Sequence, residues 1–75
     1  MEINKFVANF AEQFDDTDTS KIQASTRFRD LDEWSSLVGM GVLAMAKTQY
    51  GKTISGAELK ACLTIEDVFN LIKNK

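Results

Sequence analysis

Apolar residues recur at Ile3, Phe6, Val7, Phe10, Ala11 and Phe14, with Glu2, Asn4, Lys5, Asn9, Glu12 and Gln13 on the intervening positions. Steps of three and four put the first set on one helical face. The spacing predicts an amphipathic helix that ends near Phe14, because Asp15 and Asp16 oppose the negative end of the helix dipole. Residues 15–33 hold no sustained period. Thr17, Asp18, Thr19 and Ser20 are turn formers whose side chains compete for backbone hydrogen bonds. Ile22, Phe28 and Leu31 are the expected anchors of this long connection. A stretch of this length without regular structure is unusual in a compact domain and points to function.

The next segment, Asp32 to Met45, reads DEWSSLVGMGVLAM, and from Leu37 to Ala46 no side chain is polar or charged. Ser35 or Asp32 can cap a helix here, and Gly51 can end it just after Tyr50. Leu37, Met40, Leu43, Ala44 and Ala46 or Lys47 share one face, while Val38, Val42 and Met45 form a second apolar stripe. A helix apolar all round is normally buried all round. So short a chain can hardly bury one completely, so part of this surface should face outward, where exposed apolar area marks a partner site. Gly39 and Gly41 would each cost about 1 kcal/mol against alanine in a helix interior. They suit either close approach by a neighbour or a loosened helix.

Lys52 to Gly56 reads as a loop anchored by Ile54, and Ala57 to Ala61 as a short helical turn. Thr64 and Asp67 have the spacing of a capping box, and Ile65, Val68, Phe69 and Ile72 then form the stripe of a last helix, with Lys73 and Lys75 near its C-terminal end. No segment alternates with period two. The expected architecture is a single all-α domain over residues 1–75: a small bundle of three main helices and one short helix, with a long loop between the first and second.

Composition narrows the chemistry. The 75 residues carry a formal charge of −2, which leaves no electrostatic footprint for nucleic acid. Charge is uneven: residues 1–36 hold eight acids and four bases, a balance of −4, and residues 37–75 hold three acids and five bases, a balance of +2. There is no histidine and one cysteine. Ser-His-Asp and Cys-His catalysis, the commonest zinc sites and CxxC chemistry are therefore absent. Cys62, between Ala61 and Leu63, reads as a small core residue. The glycines form no phosphate-cradling loop, and Asp15, Asp16 and Asp18 lack the glycine and distal glutamate of a calcium loop. The chain is not expected to be an enzyme by itself. It has no recognisable signal peptide and no apolar run of the roughly 20 residues that cross a bilayer. A cytoplasmic, monomeric protein without membrane insertion is the expectation.

The segment RFRDLDEWSSLVGMGVLAMAKTQYGKTI resembles an acyl carrier protein. That family carries Asp-Ser-Leu at the start of its second helix, in divergent members often preceded by Trp. Trp34-Ser35-Ser36-Leu37 matches with one replacement, and Phe28, Leu31, Tyr50-Gly51, Ile54 and Leu63-Thr64-Ile65 keep the family's order across essentially the whole chain. The resemblance implies that Ser36 receives a covalent phosphopantetheine arm from coenzyme A, whose thiol carries acyl groups as thioesters between enzymes of fatty-acid, polyketide or related metabolism. It implies as partners a phosphopantetheinyl transferase and acyl-transferring or condensing enzymes. A serine in the first turn of a helix suits a phosphodiester, because the dipole there favours negative charge.

The chain departs from the family pattern at two places. Ser35 replaces the motif Asp, which in the family helps the transferase engage its metal and coenzyme A; Asp32 or Glu33 is the available substitute. The second helix, rich in acids in the family, carries only Lys47 as a charge here. Weak interchange with a standard fatty-acid synthase is expected, and a dedicated partner reading Trp34, Ser35, Leu37, Val38, Gly41 and Met45 instead. One alternative is a carrier-like adaptor that binds proteins without an arm. Another is a peptidyl or D-alanyl carrier, against which stand Asp32-Glu33 in place of glycines and Leu37 in place of methionine.

Overall fold

The computed structural model describes residues 2–75. Four α-helices occur in order: α1 Ile3–Ala11, α2 Ser36–Tyr50, α3 Gly56–Lys60 and α4 Ile65–Lys73, with short 3₁₀ turns at Thr19–Lys21 and Phe28–Asp30 in the first connection. The all-α bundle with one short helix and a long first loop is therefore the observed architecture. No strand forms among the described residues; an isolated antiparallel bridge joins Arg27 to Thr64.

Helix α1 stops earlier than the apolar spacing suggests. After Ala11 the chain tightens, with the Gln13 amide bonded to the Phe10 carbonyl and the Phe14 amide to the Ala11 carbonyl. This 3₁₀-type ending still turns Phe14 into the core, where it is 7% exposed. Phe6, Phe10 and Ala11 are buried on the same side, and α1 packs against α4 and α2. Helix α4 starts at Thr64, whose hydroxyl accepts from the Asp67 amide while Asp67 accepts from the Thr64 amide. A second capping box, Ser55 with Glu58, starts α3. Gly51 closes α2 at φ +66°, a left-handed conformation that favours glycine.

The core is largely aromatic. Phe6 lies 5.6 Å from both Tyr50 and Phe69; Phe10 lies 5.5 Å from Phe28, which lies 4.8 Å from Trp34. Phe28 and Ile22, on the long connection, are buried, and Leu31 is half-buried. The Ile65 amide donates to the Thr26 carbonyl and the Glu66 amide to the Ala24 carbonyl, so the connection is stitched to the start of α4.

The phase of α2 differs from the first face that spacing proposes. Its core side is Gly39, Val42, Met45 and Ala46, while Leu37 and Met40 are 76% and 64% exposed. With phenylalanines filling the interior from α1, α4 and the loop, the inward side of α2 opens on Gly39 and not on Leu37 or Met40, which would need more room there.

Phe28→Ala should destabilise the domain by about 3–5 kcal/mol, the usual loss for a truncated buried phenylalanine. The shift of the urea unfolding midpoint measures it. A surface loop without this anchor would show almost none.

Candidate functional site

The sequence points to the start of α2, and the two serines there have different surroundings. Ser35 is the N-cap, in extended conformation, and its Oγ accepts from the Val38 amide at 3.3 Å. Its carbonyl accepts from the Gly39 amide at 2.9 Å. Ser36 is the first helical residue, exposed, and its hydroxyl makes no hydrogen bond among the described residues. The amides of Ser36 and Leu37 likewise have no acceptor there, as the first turn of a helix requires. An anion held near Ser36 would meet those donors and the positive end of the dipole.

Beside Ser36 runs a groove with a volume of about 370 Å³, the seam between α2 and α3. Ser36, Gly39, Met40 and Leu43 line it from α2 at helical spacing, Gly56, Leu59 and Lys60 from α3, and Arg29, Trp34 and Ser35 from the segment before α2. The walls are mainly apolar and the charged groups on them are cations. Arg29 braces the seam by donating to the Leu59 carbonyl at 3.3 Å and to the Cys62 carbonyl, with its guanidinium carbon 5.0 Å from the Phe28 ring centre. Met40, Leu43, Leu59, Lys60 and Arg29 are not among the site residues that the sequence suggests. Gly39, Met40 and Leu43 could have been found by stepping three, four and seven from Ser36. The others arrive from distant segments that only the fold brings near.

The opposite flank is acidic. Asp16, Asp18, Asp30, Asp32 and Glu33 line an open concavity with Lys21, bringing together both ends of the long connection. Among the described residues no group of three or more histidine, cysteine or acidic side chains is arranged to hold a metal. Glu33 is not a free carboxylate: it accepts from the Asp15 amide at 2.6 Å, the Asp16 amide at 3.0 Å and the Thr17 hydroxyl at 2.6 Å. It ties the end of α1 to the approach of α2. Of the two expected substitutes for the motif Asp, only Asp32 is left exposed and without a hydrogen bond among the described residues.

Several expected partner contacts lie elsewhere than on open surface. Met45 is 5% exposed and belongs to the core, so it offers a partner nothing. Trp34 is half-buried, packed on Phe28 with its ring 6.5 Å from Phe10 and nearly parallel to it, and it also lines the groove. Gly41 is half-buried because Gln13 lies over it: a Cβ there would sit 2.8 Å from Gln13 Oε1, while Gln13 Nε2 donates to the Asn9 carbonyl. Val38 is half-buried and Leu37 is open. Cys62 is buried, and desolvation pushes its thiol above the ordinary range, which suits a packing residue and not a nucleophile. No described helix is long and apolar enough to cross a membrane.

The Thr17 hydroxyl, followed by the Asp15 and Asp16 amides, holds the Glu33 carboxyl below the usual glutamate range. A carboxylate lowered on folding stabilises at pH above its unfolded value, about 4.3, and that stabilisation disappears as pH falls through the folded value. Glu33→Gln is therefore expected to lower Tm by a few degrees at pH 7, and the gap from the parent should shrink below about pH 4. A gap of constant size from pH 7 to pH 3 would contradict the carboxylate's role. No family model, curated protein or solved structure matches this chain.

Proposed function

We propose that the chain is an acyl carrier domain whose Ser36 bears a phosphopantetheine arm. What most supports this reading is the division between the serines. Ser35 is committed to capping α2, while Ser36 is exposed, unbonded and next to unsatisfied backbone amides. In the loading step the Ser36 oxygen forms an ester bond to the phosphorus of the pantetheine phosphate as the bond to the nucleotide half of coenzyme A breaks. The hydroxyl proton leaves to the transferase or solvent. When bound, the arm supplies a thiol that holds acyl groups as thioesters.

The residues present fit such a group. The first-turn amides of Ser36 and Leu37 can receive phosphodiester oxygens. Arg29 and Lys60, on the same groove as Ser36, favour negative charge there. The apolar seam between α2 and α3 begins at the attachment residue and suits an acyl tail. With Lys47 as the one charge on α2, recognition by partner enzymes falls to the exposed Leu37 and Met40 and not to acids on that helix. The same two exposed residues also favour a second reading, a carrier-like adaptor that binds a protein partner without any arm.

Incubation with coenzyme A and a broad-specificity phosphopantetheinyl transferase should add the mass of one phosphopantetheine. Ser36→Ala should abolish the addition. Ser35→Ala should retain it while costing about 1 kcal/mol of stability through the lost cap. Intact-protein mass spectrometry reads the additions, and urea unfolding reads the lost cap. No addition with several transferases, together with a partner still bound after Ser36→Ala, would leave the adaptor reading.

A further inference from the structure

The outer face of α2 is a seam without a partner. Leu37, Met40, Ala44 and Lys47 are all exposed, and steps of three, four and three set them in one line along the helix. Two helices that pack side by side share this spacing. Of the three large apolar side chains left exposed among the described residues, Leu37 and Met40 stand on this line. The two sides of the seam differ in charge. The groove that Leu37, Val38 and Gly41 share with the end of α1 holds Glu12, Asp15 and Glu33 and no cation. The groove that takes in Met40 and Leu43 holds Arg29 and Lys60 and no acid. At about 100° per residue, Gly41 is turned about 80° to one side of the line and Leu43 about 80° to the other. An apolar strip therefore runs between an acidic flank and a basic one, and both flanks border the N-terminal half of α2.

We infer that this face is the interface of a homodimer in which the α2 helices of two copies run parallel. Twofold symmetry selects the occupant and its direction. With parallel helices the axis runs along them, and the acidic flank of each copy lies over the basic flank of the other, on both sides. With antiparallel helices the axis runs across them, and each flank would meet its own kind. Charge thus favours the parallel pair. The aligned helix dipoles oppose it only weakly, because their effect is confined to the end turns and screened by salt. Lys47 closes the seam and can turn its charge out to water. Ser36 lies on the basic edge and not on the line, so the pairing does not depend on whether that residue bears an arm. The dimer departs from the monomer that the sequence suggests, and it covers Leu37 and Met40, so pairing competes with any other protein that reads them.

Sedimentation velocity of the unmodified chain, from about 1 μM to about 1 mM, tests the inference. The parent should pass from monomer to dimer, and Leu37→Asp should stay monomeric. Lys60→Glu alone and Asp15→Lys alone should each weaken pairing about tenfold or more, because both crossed charge pairs become repulsive. Mixed together, the two variants should pair as well as the parent, since every crossed contact is again between opposite charges. The Leu37, Lys60 and Asp15 side chains are exposed, so the fold should survive, and circular dichroism checks it. A parent that is monomeric at about 1 mM would overturn the inference and leave the face to a different protein. A dimer indifferent to Leu37→Asp, or charge variants whose mixture fails to recover, would overturn it as well.

Discussion

Phe28 packed between Phe10 and Trp34 is the contact on which the arrangement depends. The connection between α1 and α2 is long and mostly irregular, and ordering each of its residues costs about 1–2 kcal/mol of backbone entropy. Little within the connection itself could offset that cost. Phe28 is fully buried, with ring centres 5.5 Å from Phe10 and 4.8 Å from Trp34. It thereby joins the first helix to the residue that stands just before the cap of the second. Once Trp34 is held, the direction in which α2 leaves Ser35 is largely set, and with it the place of Ser36. Arg29, next in the chain, extends the same constraint to α3 through the Leu59 and Cys62 carbonyls.

Polar contacts finish what the rings begin. Glu33 gathers two backbone amides and a hydroxyl from the residues after α1. Thr26 and Ala24 accept from the first turn of α4. The connection is thus held from three sides: by rings beneath, by a carboxylate at its α2 end and by a helix start in its middle. Asn9 and Tyr50 add a hydrogen bond at 2.9 Å between α1 and the last residue of α2. The consequence is a long loop anchored at several points, although it contributes only two short turns of regular structure.

Local signals are legible wherever polar residues mark the outside of an element. The stripe of α4, its Thr64–Asp67 capping box, the Gly51 stop and the anchors Ile22, Phe28 and Ile54 all lie where spacing and capping chemistry put them. Helix α2 resists because Leu37 to Ala46 has no polar side chain to indicate which side meets water. Its orientation is decided by how much room the phenylalanines leave, and that is a property of the whole core. The end of α1 is illegible for a different reason: Phe14 is buried by a tightened turn and not by one more turn of α-helix, and both would satisfy the same apolar spacing. At the site, the proposed attachment residue comes from a local motif. The opposing wall of the groove, Leu59 and Lys60, and the engagement of Glu33 depend on segments remote in the chain.

Capping α2 with one serine while leaving its neighbour unbonded has a consequence for how the molecule carries information. The Ser36 oxygen takes no part in the bond that starts the helix, so a group attached there would leave the Ser35 cap in place. On the proposed function, the cap would then be indifferent to a load on Ser36. A partner telling loaded from bare protein would have to read the appendage itself and not the cap.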